Sequence, residues 1–337
     1  MRSLTKRFFA LAAVGLTSLS LTACGNSSES EGSPSTTEST VAASSSGEWP
    51  RTIEHEMGEV TLDAKPERIV STSVSVTGTL LAIDAPVVAS AATSPSEITD
   101  DKGFFTQWSD VAEERNVDVL YDNLEFDMEA LIAADPDLVV ISTSGADSVA
   151  DQYEQISAEF PTIVVDYSRQ TWQDLATELG DATGNEEGAE NAIADFDEYA
   201  EDAASKITAP EGGTSIVSFN GPGSDQGIAK TTGPHAQLME SLGLEVIPAD
   251  DALDTSEQAR DDFVFVTYEN LSQAVGGGSV FLLTGTDETV EAFTSDAVLA
   301  NPPAVQSEQV YPLGPTSFRI DYYSGKQFID AVVDALS

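Results

Sequence analysis

The chain has 337 residues, of which 58 are acidic and 14 basic, for a formal net charge of −44. A molecule this acidic is repelled by nucleic acid and by anionic lipid head groups, which excludes both as partners. Cysteine occurs once, so no disulfide forms within the chain, and no apolar run reaches the roughly 20 residues of a membrane-spanning helix.

The first residues carry Arg2, Lys6 and Arg7 with no acid, followed by an apolar run from Phe8 to Leu19 and then Leu21-Thr22-Ala23-Cys24-Gly25. A basic start, a short apolar middle and small residues at the cut predict a secretory signal over residues 1–23. Leu-Thr-Ala-Cys resembles the lipobox of bacterial lipoproteins. The resemblance implies that Cys24 is lipidated, becomes the new N-terminus and holds the molecule at the outer face of a cell membrane. Residues 24–48 are dominated by Ser, Thr, Glu, Gly, Ala and Asn. With no apolar period to bury, they are expected to form a flexible tether with a span of roughly 25–30 Å.

A hairpin is predicted over Glu54–Leu62, turning at Met57-Gly58-Glu59. Strands follow at Arg68–Ser71, Val87–Ala89, Leu138–Ile141 and Thr162–Val165. Between them the pattern predicts a helical run through Leu80, Leu81 and Ile83, and helices over Leu124–Ala134 and Val149–Phe160. Alternating strands and helices imply a mostly parallel sheet. A helix over Trp172–Thr183 then gives way, after Gly184, to one long helix over Glu186–Ile207. Apolar or small residues recur there at 189, 193, 196, 200, 203 and 207, one face of about six turns, roughly 30 Å long. The pattern then restarts, with strands at Ser215–Phe219, Leu244–Ile247, Ser279–Leu283 and Val310-Tyr311. Helices are expected at Pro234–Leu242, Leu271–Ala274, Thr289–Ala292 and Tyr323–Leu336. The fold class is therefore α/β. An N-terminal lobe (49–184) and a C-terminal lobe (209–337) are joined by a rigid linking helix (185–208).

Five segments, in order, carry a family resemblance: Ala64-Lys65-Pro66-Glu67-Arg68-Ile69-Val70, Gly103-Phe104-Phe105-Thr106-Gln107-Trp108, Ala134-Asp135-Pro136-Asp137-Leu138-Val139-Val140, Val165-Asp166-Tyr167-Ser168-Arg169-Gln170-Thr171-Trp172 and Ser317-Phe318-Arg319-Ile320-Asp321-Tyr322-Tyr323-Ser324. Together they resemble the siderophore class of substrate-binding proteins of ABC transporters, and within it the branch that binds ferric enterobactin. The resemblance spans residues 50–336. It implies a ligand held between the lobes with little hinge motion, delivery to the membrane subunits of an ABC permease, and no catalytic role. The chain is expected to act as a monomer.

In open α/β sheets a ligand sits beyond the C-terminal ends of the strands. Those loops are Ser71–Val76, Thr93–Trp108, Ser142–Ser148, Tyr167–Trp172, Asn220–Thr232 and Pro315–Tyr322. A ferric tris-catecholate is a trianion with flat aromatic faces, so its capture calls for cations, ideally Arg, and for aromatic packing. Arg319 and Arg169 each lie in such a loop with aromatic neighbours, Phe318 and Tyr322 for the first, Tyr167 and Trp172 for the second. Lys230 follows a glycine-rich loop, and Lys102 precedes Phe104, Phe105 and Trp108. The candidate ligand-binding residues are thus Arg319, Arg169, Trp108, Tyr322, Phe105, Lys230 and Lys102.

No protein metal site is expected. His55 and His235 are the only histidines and read as structural, so iron arrives inside the siderophore, and no cofactor is called for. Neither a Gly-x-Ser-x-Gly elbow, a Gly-x-x-x-x-Gly-Lys loop nor a metalloprotease helix occurs. The alternatives keep the fold and exchange the ligand for haem, cobalamin or a hydroxamate siderophore; more remotely, an extracellular hydrolase would need one of the two histidines as its base.

Overall fold

The computed structural model describes residues 48–256 and 260–337. The expected signal, Cys24 and all of the tether but Glu48 lie outside the described residues. Strands β1 (Arg51–His55) and β2 (Gly58–Leu62) pair antiparallel, from Arg51 opposite Leu62 to His55 opposite Gly58. The hairpin begins three residues before its predicted start.

The N-terminal lobe follows with β3 (Ile69–Ser71), α1 (Val74–Ala82), β4 (Val87–Ser90), α2 (Ser109–Glu114), β5 (Asp118–Val119), α3 (Met128–Ala134), β6 (Leu138–Ser142), α4 (Tyr153–Ser157) and β7 (Thr162–Val165). Its five strands form an all-parallel sheet in the order β5-β4-β3-β6-β7. Both faces are covered, which is why β6 is a continuous apolar run. Val139 and Ile141 join Val70 and Val164 in one cluster, while Leu138 and Val140 join Ile69 and Ile163 in another.

After α5 (Trp172–Thr183) the chain turns at Gly184, which has φ +68°, into the long helix α6 (Glu186–Ala204). The C-terminal lobe contains β8 (Thr214–Ser218), β9 (Gln226–Ala229), α7 (Pro234–Ser241), β10 (Phe263–Val266), α8 (Leu271–Ala274), β11 (Ser279–Leu282), α9 (Asp287–Ser295), α10 (Pro303–Gln306), β12 (Val310–Pro312) and α11 (Tyr322–Leu336). Its sheet runs β10-β9-β8-β11-β12, parallel across β8, β11 and β12 and antiparallel at β9 and β10.

Several elements differ from their sequence-based reading, each for a local reason. The helix expected from Leu124 starts at Met128, because Asn123 and Leu124 both sit at φ 57° and the Asp127 carboxylate caps the amides of Glu129 and Ala130 at 2.8 and 3.1 Å. The Val149–Phe160 helix is a 3₁₀ turn followed by α4. Leu244–Ile247 contributes a single bridge, Val246 to Thr214, and Pro248 then ends the pairing. Strand β9 lies inside the stretch Asn220–Thr232 read as a loop. Buried Gln226 organises its entry, accepting from Asn220 N at 2.7 Å and donating to the Gly221 and Ser224 carbonyls.

Helix α6 buries Ala189, Ala192, Phe196, Ala200 and Ala203. These belong to one apolar cluster that also takes in Ile69, Val140 and Leu175 of the first lobe and Ile216, Phe281 and Phe328 of the second. The lobes share a core through the helix, which resists large relative motion. The expected extension to Ile207 is cut short, and the Ser205 hydroxyl bonds back to the Asp202 carbonyl at 2.7 Å.

Candidate functional site

Against so many acids, the fate of each base is informative. Seven of the eleven basic side chains among the described residues hold a carboxylate: Arg51 with Glu186, Arg115 with Asp84, Arg169 with Asp166, Lys206 with Asp202, Lys230 with Asp251, Arg260 with Asp262 and Lys326 with Asp195. Lys65 and Arg68 donate instead to backbone carbonyls, of Gly184 and of Ala134 and Asp135. That leaves Lys102 and Arg319 without an ion pair among the described residues, and both lie in cleft loops.

Arg319 sits in the loop between β12 and α11, at the C-terminal ends of the parallel strands of its lobe. The loop is fastened on both sides. Ser317 Oγ accepts from Thr284 N at 2.8 Å and donates to the Gly314 carbonyl at 2.8 Å, while Ser324 Oγ donates to the Arg319 carbonyl at 2.6 Å. Asp321 then caps α11, accepting from Tyr323 N at 2.9 Å and Ser324 N at 2.7 Å. Burial pushes this carboxyl's pKa up, against the hydrogen bonds from Ser324, Gln107 and Tyr323 that favour its ionised form. Asp321 is thereby committed to the helix cap, and the guanidinium two residues earlier is left to reach across the cleft.

There Arg319 donates to Ser75 Oγ at the start of α1 and to the Tyr167 hydroxyl at 3.4 Å, and lies 5.7 Å over the Phe105 ring. Tyr167 donates in turn to Asp147 Oδ1 at 3.0 Å, and Asp147 Oδ2 accepts from Ser73 Oγ at 2.7 Å and Ser75 N at 2.9 Å. Burial, then the Asp147 charge, raise the pKa of Tyr167. It remains a phenol, able to donate to the carboxylate while accepting from Arg319. Three strand-end loops of the first lobe thus converge on one guanidinium of the second.

Of the sequence-derived candidates, Phe105, Trp108 and Arg319 come together. Phe105 faces Arg319 and contacts Trp108 edge-on at 6.2 Å. Trp108 is 1% exposed and forms the floor beneath Phe104 and Phe105. The others point elsewhere. The Arg169 side chain is 82% exposed and pairs with Asp166 at 3.4 Å; Lys230 pairs with Asp251 at 3.2 Å; Lys102 is exposed. Tyr322 opens α11, and its ring packs on Trp172 and Phe196 while its hydroxyl donates to Asp195 on α6, because the Asp321 cap turns the chain away from the cleft. Sequence reasoning did not single out Ser75, Asp147 or Phe318 as site residues, although each lies in a loop it had assigned to the cleft. Phe318, next to Arg319 in sequence, is 45% exposed, and its ring stacks on Phe263.

A groove of about 370 Å³ also opens between the lobes beside α6, floored by Trp172, Phe196, Leu238 and Ile320 and edged by Asp197 and Glu201. Its acidic edge repels anions, so an anionic ligand is better served at Arg319. No group of three or more metal-ligating side chains occurs among the described residues.

A family model described as periplasmic binding protein matches residues 69–316. The chain is 40% identical over 293 residues to the ferric enterobactin-binding periplasmic protein FepB of Escherichia coli O6:H1, covering 86% of this chain and 92% of FepB. It is 26% identical over 326 residues to the iron(3+)-hydroxamate-binding protein FhuD of Bacillus subtilis, covering 94% and 92%. The solved structure of holo-ViuP shares 43% sequence identity and matches with a TM-score of 0.78, covering 86% of this chain and 96% of that one.

Proposed function

Because the chain belongs to the periplasmic binding protein family, we propose that it captures a ferric siderophore of the enterobactin-like catecholate type and delivers it to a membrane ABC importer. The observation that carries this is Arg319, a guanidinium left unneutralised in a molecule of charge −44, presented at the strand ends over the Phe105 ring and one residue after exposed Phe318. Arg can fork two donors onto catecholate oxygens, while the exposed Phe318 ring offers a face for catechol packing. The 40% identity to FepB, whose name states that it binds ferric enterobactin, supports the same reading. A hydroxamate ligand is the runner-up, raised by the FhuD relative; a less anionic complex gains less from Arg319.

In this reading Arg319, Phe105 and Phe318 contact the ligand and Trp108 supports Phe105 from behind. Lys102 adds charge at the rim, Arg169 and Lys230 are recruited from their carboxylates, and Tyr322 steadies the loop from the α6 side. Arg169→Ala is expected to cost under about 1 kcal/mol of binding, since an exposed, already paired charge contributes little; fluorescence titration of the variant measures it. We also propose that the molecule is a monomer lipid-anchored through Cys24. Cys24→Ser should then move it from the membrane fraction to the soluble one, as fractionation would read directly. The functional test is intrinsic-fluorescence titration with ferric enterobactin beside a ferric hydroxamate. Saturation near one equivalent with the catecholate alone supports the proposal, and flat curves for both overturn it.

A further inference from the structure

The Phe318–Arg319 segment is held from beneath by a residue read from the sequence as merely structural. His235, in the first turn of α7, is 3% exposed, and its Nε2 lies 2.9 Å from the Phe318 carbonyl. A carbonyl can only accept, so Nε2 carries the hydrogen and donates. The imidazole sits among the rings of Phe263, Phe318 and Phe328 at 5.4, 6.0 and 6.4 Å, and Phe263 stacks on Phe318 with 12° between planes. The other ring nitrogen, Nδ1, is buried with no hydrogen-bond partner among the described residues.

We propose that His235 is a positioning residue for the ligand-binding loop: its Nε2–H grips the Phe318 carbonyl and so aims the Phe318 ring and the Arg319 guanidinium into the cleft. The grip requires the neutral imidazole. A second proton would fall on Nδ1, where no acceptor meets it, inside an aromatic cage. Burial accordingly lowers the His235 pKa, against the imidazole's hydrogen bonding to the Phe318 and Ser317 backbone and the Asp262 charge, which favour the charged form. The charged group that bears on the ring is Asp262, just before β10, already held by Arg260 through bonds of 2.7 and 2.6 Å. Neither α7's first turn nor the Phe328 face of α11 adds a charge. A folded-state pKa below the unfolded one means that the unfolded chain binds the extra proton first. The loop's order is then fully present above about pH 6.5 and is lost as pH falls below it.

The inference rests on the siderophore reading only for its ligand arm, and the experiment separates the two. Hydrogen exchange of the amides at 314–321 is measured on the unliganded full chain at pH 7.5 and pH 5, corrected for intrinsic rates. His235→Gln retains an N–H donor and cannot titrate; His235→Phe keeps the ring packing and removes the donor. The expected result is faster exchange of this segment in His235→Phe at both pH values, by roughly tenfold for one lost hydrogen bond. Acid acceleration should appear in the wild type and be absent in His235→Gln. Affinity for ferric enterobactin at pH 7.5 should fall about tenfold in His235→Phe and stay within about threefold in His235→Gln. Unchanged exchange in folded His235→Phe, or the same acid response in His235→Gln, overturns the proposal. If the wild type itself ignores ferric enterobactin, the ligand reading fails and the exchange arm alone decides the role of His235.

Discussion

Arg319→Ala is expected to weaken binding of a ferric catecholate by roughly 30- to 150-fold, or about 2–3 kcal/mol, the range for hydrogen bonds to charged groups. The size follows from what the guanidinium gives up. In the free protein it holds Ser75, Tyr167 and the face of Phe105, all of which remain after truncation, so the loss falls on the ligand's anionic oxygens. Arg319→Lys should lie between, because an ammonium keeps the charge but loses the planar fork. Added salt should weaken the wild type more than the alanine variant, since part of the attraction is screened. The side chain is exposed, so the melting temperature should hardly move. Affinity within threefold of wild type in Arg319→Ala would remove this residue from the site.

Gly188→Ala should destabilise the fold even though it improves a helix. Alanine in place of glycine inside α6 favours the helix by about 1 kcal/mol on propensity alone. A Cβ at this position, however, would stand 2.1 Å from the carbonyl oxygen of Ile83 at the end of α1. The obstacle is backbone, with no rotamer to turn aside, and the same carbonyl accepts from the Asn185 side chain at 3.3 Å. Relief requires α6 to lift from the first lobe, an overpacking cost of about 1–3 kcal/mol or more. The two effects oppose each other, so the sign is diagnostic. A fall of several degrees in thermal unfolding is expected, and a melting temperature equal to or above wild type would mean that the contact yields freely.

The parts of this molecule that sequence made legible are those governed by repetition. The alternation of short apolar runs with helical faces announced two α/β lobes, and the three- and four-residue spacing from 189 to 203 announced α6. Strand β9 escaped because its apolar content is only Ile228-Ala229 and its entry is fixed by Gln226, a polar residue whose amide replaces several turn hydrogen bonds. Strand β5 is two residues long, too short to show any period. Arg319 was visible because bases are scarce. Ser75 and Asp147 were not, since serine and aspartate are abundant here and only the convergence of α1, the β6 loop and Tyr167 selects these two. Tyr322 misled for the opposite reason: three residues from Arg319 in sequence, it is turned to the α6 side by the Asp321 cap at the start of α11.

The N-terminal hairpin has a mechanical meaning. Arg51 pairs with Glu186, donates to the Asp181 carbonyl at 2.7 Å and lies 4.6 Å over the Trp49 ring, while Lys65 reaches the Gly184 carbonyl at 2.7 Å. The bonds to Glu186, Asp181 and Gly184 fasten the start of the body to the elbow between α5 and α6. A load arriving at residue 48 therefore meets this elbow first, and the hairpin passes the remainder into the sheet of the first lobe, where Glu56 N donates to the Val164 carbonyl at 3.0 Å.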